Sequence, residues 1–172
     1  MGIPNEVRAS AAVEQEMHFV GCLEARAMPR LQAQLAPGTD AAVDVDLRTD
    51  ARAGWPRLHG TVSGELPVEC RRCERSFAWP LRLTVDLRLV RSEDEERKAL
   101  ADADPLWVRD DRLMLRELVE DEVLLAMPML PRCESCENAI LSAPQASPVD
   151  APSERENPFA ALKQHFKDKS VK

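Results

Sequence analysis

From Pro80 to Val90 the chain reads PLRLTVDLRLV, with Leu81, Leu83, Val85, Leu87 and Leu89 at every second position and Arg82, Thr84, Asp86 and Arg88 between them. A strict period of two suits a strand with one buried face and does not suit an amphipathic helix over the same residues. Two earlier stretches share this character. VDVDLRT alternates from Val43 to Leu47, and RLHGTVSGELPVEC sets Leu58, Val62, Leu66 and Val68 between turn formers. Short, glycine-containing connections predict an antiparallel β-meander or partly open barrel, and its apolar face has to be covered by helices. The expected class is therefore α+β.

Other segments supply candidates for that cover. Val13 to Val20 reads as a strand or its approach. Leu23, Ala27, Leu31 and Leu35 recur at intervals of four, which predicts a helix that Pro29 bends or shortens. RSEDEERKALADAD interrupts the apolar pattern and predicts a solvated loop, and PLWV after it predicts a further strand. The clearest helix is DDRLMLRELVEDEVLLAMP, with Asp111 as the expected cap and Pro128 as the stop. Residues 1–138 are thus read as one α+β domain. The stretch 139–156, with Pro144, Pro148 and Pro152 and little bulk, is read as a flexible linker. Residues 157–172 form the third part: Asn157 caps, Pro158 begins a short helix, and Phe159, Leu162 and Phe166 lie along one stripe that can dock in cis or on a partner.

The chain has 172 residues, enough to bury a core without disulfides. Its formal charge of −7 opposes a phosphate backbone, so any contact with nucleic acid has to be local. The start carries no basic run followed by an apolar stretch, and no apolar run approaches membrane-spanning length. The cytoplasm is the expected compartment, and there paired cysteines serve more often as metal ligands or redox groups than as disulfides.

Two Cys-x-x-Cys pairs stand about sixty residues apart: Cys70 with Cys73, and Cys133 with Cys136. Two intervening residues let a turn aim both sulfurs at one ion, and two such pairs make the four ligands of a structural Zn2+ site. Arg71, Arg72, Arg75 and Arg132 lie beside them to offset the charge of four thiolates. Unligated thiols that pack or sit near the surface are the open alternative. Thiol exchange is disfavoured, because Cys70 closes an extended LPVEC rather than opening a helix. Cys22 stands alone and is read as a small buried hydrophobe.

On the predicted acidic helix, Leu118, Leu125 and Ala126 fall within about 80° of Leu115, and Glu122 only about 20° away. Glu120 and Asp121 point elsewhere. A carboxylate inside an apolar stripe needs a partner, so Glu122 is expected to pair with a meander arginine such as Arg72 or Arg75, or to face a binding partner. No His, Ser or second carboxylate falls at a spacing that makes a recognised catalytic arrangement, and there is no glycine-rich phosphate loop. The reading is of a protein that is not an enzyme and has no small-molecule substrate.

VECRRCERSF after a strand, LRELVEDEVLLAMPMLPRCE in the later helix and its exit, and NPFAALKQHFK near the end resemble, in that order, the YceD family of bacterial proteins needed for accumulation of large-subunit ribosomal RNA. The resemblance runs from about Val43 to Phe166. Cys70, Cys73 and Phe77 fall on its first motif; Leu118, Val119, Glu120, Asp121, Glu122, Leu124 and Pro128 on its second; Asn157, Pro158, Phe159 and Leu162 on its third. Met114 departs from the family, whose members often have Asp there. The resemblance implies a non-enzymatic factor supporting synthesis, processing or stability of 23S ribosomal RNA, acting through a protein or ribonucleoprotein partner. The alternative is a structural-zinc module that contacts precursor rRNA directly. For that contact the candidates are Arg71, Arg72 and Arg75 together with Lys163, Lys167, Lys169 and Lys172, which locally reverse the sign of an acidic chain.

Overall fold

The computed structural model describes residues 2–141. A short strand β1 (Val7–Arg8) leads into helix α1 (Ala9–Glu14), then strand β2 (His18–Glu24). A 3-10 turn (Ala25–Ala27) and helix α2 (Pro29–Gln32) precede three long strands, β3 (Ala42–Arg52), β4 (Trp55–Glu69) and β5 (Ser76–Val90). Helix α3 (Glu93–Ala99), strands β6 (Asp104–Trp107) and β7 (Arg112–Leu113), and helices α4 (Leu115–Ala126) and α5 (Glu134–Leu141) complete the order. The main sheet runs β2-β3-β4-β5-β6, and β1 pairs separately with β7. Pairs β2–β3, β3–β4 and β4–β5 are antiparallel, as the alternation predicts.

The period-two residues form the inner face. Val43, Val45 and Leu47 on β3, Leu58, Val62 and Leu66 on β4, and Leu81, Val85 and Leu87 on β5 are all buried. The gaps in the β4 pattern are inward positions filled by glycine. A Cβ on Gly60, whose φ is +149°, would lie 2.0 Å from the Asp46 carbonyl oxygen, and one on Gly64 would lie 2.9 Å from that of Ala42. Without side chains there, β3 and β4 close in tightly, and the long strands coil into a partly open sheet. Ala53 and Gly54 both take positive φ, 52° and 82°, and make the two-residue turn from β3 to β4. Covering this face are α1 with Ala9 and Ala12, α2 with Leu31, and α4 with Leu115, Leu118, Val119 and Val123.

Several expectations are corrected. The interval-of-four pattern from Leu23 to Leu35 is not one helix: Leu23 belongs to β2, and Pro29 starts the single turn of α2 instead of bending a longer element. Val13 lies in α1, so the strand begins only at His18. The acidic stretch expected as a loop contains α3. The Ser92 hydroxyl accepts from Glu95 N–H at 3.3 Å, and acids in the first turn with Arg97 and Lys98 in the last favour the helix dipole. Because α3 is a crossover, β6 lies parallel to β5 and ends the meander. Cys22 is exposed, since it falls on the outward register of β2.

Asp111 does not cap α4, whose first turn has no side-chain cap. It caps α1 from a distance: its carboxylate accepts Ser10 N–H at 2.8 Å and the Ser10 hydroxyl, with the Arg91 guanidinium at 2.9 Å. The Ser10 contacts, and then the arginines, hold the Asp111 carboxyl below its ordinary range.

Candidate metal centre

Strand β4 ends at Glu69 and β5 begins at Ser76, and the hairpin between them carries the first cysteine pair. Cys70 N–H donates to the Arg75 carbonyl at 3.0 Å and Glu74 N–H to the Cys70 carbonyl at 2.9 Å, closing a tight turn in which Glu74 takes φ 59°. Arg71 N–H reaches across to the Pro131 carbonyl at 2.9 Å, which ties the hairpin to the segment entering α5. Cys133 immediately precedes α5 and Cys136 lies in its first turn, where the Cys136 and Glu137 N–H groups both donate to the Cys133 carbonyl at 3.0 Å. A hairpin turn and a helix start thus face each other with two thiols apiece.

The four Sγ atoms lie within 4.8 Å of one another, and Cys73 and Cys133 are 3.7 Å apart. Tetrahedral zinc with Zn–S bonds near 2.3 Å requires sulfur separations of about 3.8 Å, so the cluster has the spacing of such a site. An all-thiol donor set favours zinc or iron–sulfur chemistry over hard cations. Cys70, Cys133 and Cys136 are buried and Cys73 is half-buried, with Phe77 packed against them.

The surroundings favour negative sulfur. Arg75 Nε donates to Cys73 Sγ at 3.4 Å, and the Ser135 hydroxyl lies 3.5 Å from Cys133 Sγ. Backbone hydrogen bonds, that of Cys133 first, draw the Cys70 thiol down to about 6. Ser135 and the Cys136 backbone lower Cys133. Burial and the neighbouring thiols push Cys136 up to about 12, because further negative charge in so small a group needs a cation. Arg72 donates to the Cys136 carbonyl at 3.2 Å, and Arg71 and Arg132 are exposed beside the cluster.

The second expected site residue is placed differently. Glu122 is only half-buried, and no ion pair among the described residues includes it; Arg72 and Arg75 serve the cysteine cluster instead. Burial, Asp104 and Asp121 raise its carboxyl above the ordinary range. The buried carboxylate is Glu120, 4% exposed. The buried side of α4 is turned toward Val119 and Val123, which leaves Leu125 81% exposed and brings Glu120 inward. One Glu120 oxygen accepts the N–H groups of Arg30 and Leu31 at 2.6 and 3.0 Å, and the other accepts the Arg30 guanidinium at 2.9 and 3.1 Å. Burial raises the Glu120 carboxyl, but these donors together outweigh it and leave it lowered. Phe159, Leu162, Lys163, Phe166, Lys167 and Lys169 lie outside the described residues, as does most of the expected linker; α5 itself continues to Leu141.

Fold and site together define an α+β protein in which a sheet hairpin and a following helix meet through four cysteines. Residues 58–164 match the family described as "Large ribosomal RNA subunit accumulation protein YceD". The match includes both cysteine pairs and all of α4, and the chain belongs to this family. The Bacillus subtilis (strain 168) protein YlbN, described as uncharacterized, is 26% identical over 123 residues, which are 71% of this chain and 68% of that protein. No solved structure matches. No helix among the described residues is long and apolar enough to cross a membrane.

Proposed function

We propose that this protein is a non-catalytic cytoplasmic factor supporting synthesis, processing or stability of 23S ribosomal RNA, and that it acts through a protein or ribonucleoprotein partner. The observation that carries the reading is the family match over residues 58–164, since the family is named for accumulation of the large ribosomal RNA subunit. One zinc ion held by Cys70, Cys73, Cys133 and Cys136 would join the β4–β5 hairpin to α5. Four thiolates fill a tetrahedral ion and leave no position for substrate, so the metal's role is structural. The charge of −7 supports a partner over a protein that grips RNA alone. Residues 157–172, with Phe159, Leu162 and Phe166 in one sequence stripe, are assigned to that partner as a docking element beyond the linker.

The test is the ratio of 23S to 16S rRNA in cells deleted for the protein and carrying no functional paralogue. The ratio should fall on deletion and recover with the wild-type chain; an unchanged ratio defeats the assignment. Direct rRNA contact is the second reading, supported by exposed Arg71, Arg72 and Arg132 around the cysteine cluster. Tight, strongly salt-dependent and fragment-specific binding of the purified protein to 23S fragments would favour it.

A further inference from the structure

Where α4 ends, the chain turns large apolar side chains into solvent. Leu125 is 81% exposed, Met129 95% and Leu130 66%, all within six consecutive residues, whereas the other large exposed apolar residues among those described, Val20, Leu100 and Trp107, are scattered on separate elements. This segment is anchored at Met127 within it and at Pro131 just beyond it. Met127 packs against the core and donates its N–H to the Val123 carbonyl at 3.1 Å, and the Pro131 carbonyl holds Arg71 of the cysteine hairpin. An anchored ledge of bare apolar side chains is the usual mark of a contact surface.

On its α4 side the ledge has an acidic border, whereas exposed Arg132 and Arg71 lie beyond its other end at Pro131. Glu122 and Asp121 lie three and four residues before Leu125, one helical turn away, and Glu117 is exposed one turn further back. Asp121 has Arg30 at 2.6 Å, but Glu122 is half-buried, in no ion pair among the described residues, and faces the further negative charge of Asp104. A half-buried carboxylate beside other carboxylates is relieved by an incoming cation.

We propose that the Leu125–Met129–Leu130 ledge with its Glu122 border is the docking surface for a basic amphipathic segment of another protein, apolar side chains meeting the ledge and Lys or Arg meeting Glu122. This deepens the partner reading given above and rests on it for the partner's place in large-subunit assembly. The chemistry fits a segment whose apolar stripe is edged by cations, bound in the helix-in-groove manner or as an extended strip.

The probe is a synthetic amphipathic Leu/Lys helical peptide, compared with a scrambled peptide of identical composition and with a Leu/Glu analogue, each titrated by fluorescence anisotropy against the full chain. The Leu/Lys peptide should bind best, and Leu125→Ser, Met129→Ser and Leu130→Ser combined should weaken it by about tenfold or more at unchanged melting temperature. Glu122→Lys should weaken the Leu/Lys peptide and favour the Leu/Glu one. Equal binding of ordered and scrambled peptides, or no effect of the triple substitution, overturns the proposal. So does a dimer in sedimentation that the triple substitution abolishes, loss of 23S-fragment binding through the same substitutions, or ledge binding that emerges only on removing residues 142–172. In cells, the triple variant should fail to restore 23S levels. Full restoration defeats the ledge while leaving the rRNA role intact, whereas normal 23S on deletion of the protein defeats the role itself.

Discussion

Replacing Glu120 by Ala removes the cap of α2. Pro29, Arg30 and Leu31 form the first turn of that helix, where N–H groups have no carbonyl partner within the helix, and Glu120 accepts two of them from α4. Leu31 is fully buried, so its stranded N–H costs about 1–3 kcal/mol, while that of Arg30 lies nearer solvent and costs about 1 kcal/mol. The Arg30 guanidinium side chain is 53% exposed, and its pairing adds little. The sum is about 2–4 kcal/mol, and at about 4 °C per kcal/mol for a domain of this size the melting temperature should fall by about 8–16 °C. Glu120→Gln keeps an acceptor for the backbone and should cost only about 1 kcal/mol. Thermal unfolding followed by circular dichroism, with Asp121→Ala as the surface comparison, measures all three. A Glu120→Ala protein that melts within about 2 °C of the parent would refute the capping argument.

The same carboxylate predicts a pH dependence. Glu120 and Asp111 are lowered from ordinary values of 4.5 and 3.8, so their stabilisation is present above those values and is lost as pH falls through the lower folded ones. Acid titration of the Glu120→Gln protein should therefore show a shallower loss of stability than the parent. Glu122 has the opposite sign: its raised folded value means that its charge opposes folding at neutral pH and ceases to do so below 4.5. Glu122→Gln should raise the melting temperature at pH 7 and leave it unchanged in acid. Gly60→Ala drives a Cβ into backbone and should destabilise by about 3 kcal/mol or more in denaturant titration, well beyond the effect of Gly64→Ala.

The sheet was legible because its signal is local: one face buried and one wet forces alternation, and Val43 to Leu47 and Leu81 to Leu89 display it without help from distant residues. The cysteine pairs were legible as ligand pairs for the same reason, since a two-residue spacing is a property of one turn. Their convergence on one site was expected as one of two open readings and could not be settled from the sequence, because it depends on the Arg71–Pro131 hydrogen bond and on α4 returning the chain to the β4–β5 hairpin. The acidic helix misled. Centring its stripe on Leu115 weighed Leu125 as core, but α4 packs on β5 and α2, and this turns Val119, Glu120 and Val123 inward and leaves Leu125 outside. Glu120 is buried because α2 offers free N–H groups, a tertiary reason that its own neighbours do not carry. Helix α3 had a readable signal, Ser92 followed three residues later by Glu95, which the density of charge in that stretch obscured.

The central structural claim is that four sulfurs from a hairpin and a helix start close on one ion. Native mass spectrometry of protein purified without added metal tests it directly. One zinc per chain, absent from the Cys73→Ser protein and removable by chelator with a fall in melting temperature, is the predicted result. Protein that carries no metal, offers all four thiols to a thiol reagent in the folded state and melts unchanged after chelation would contradict it.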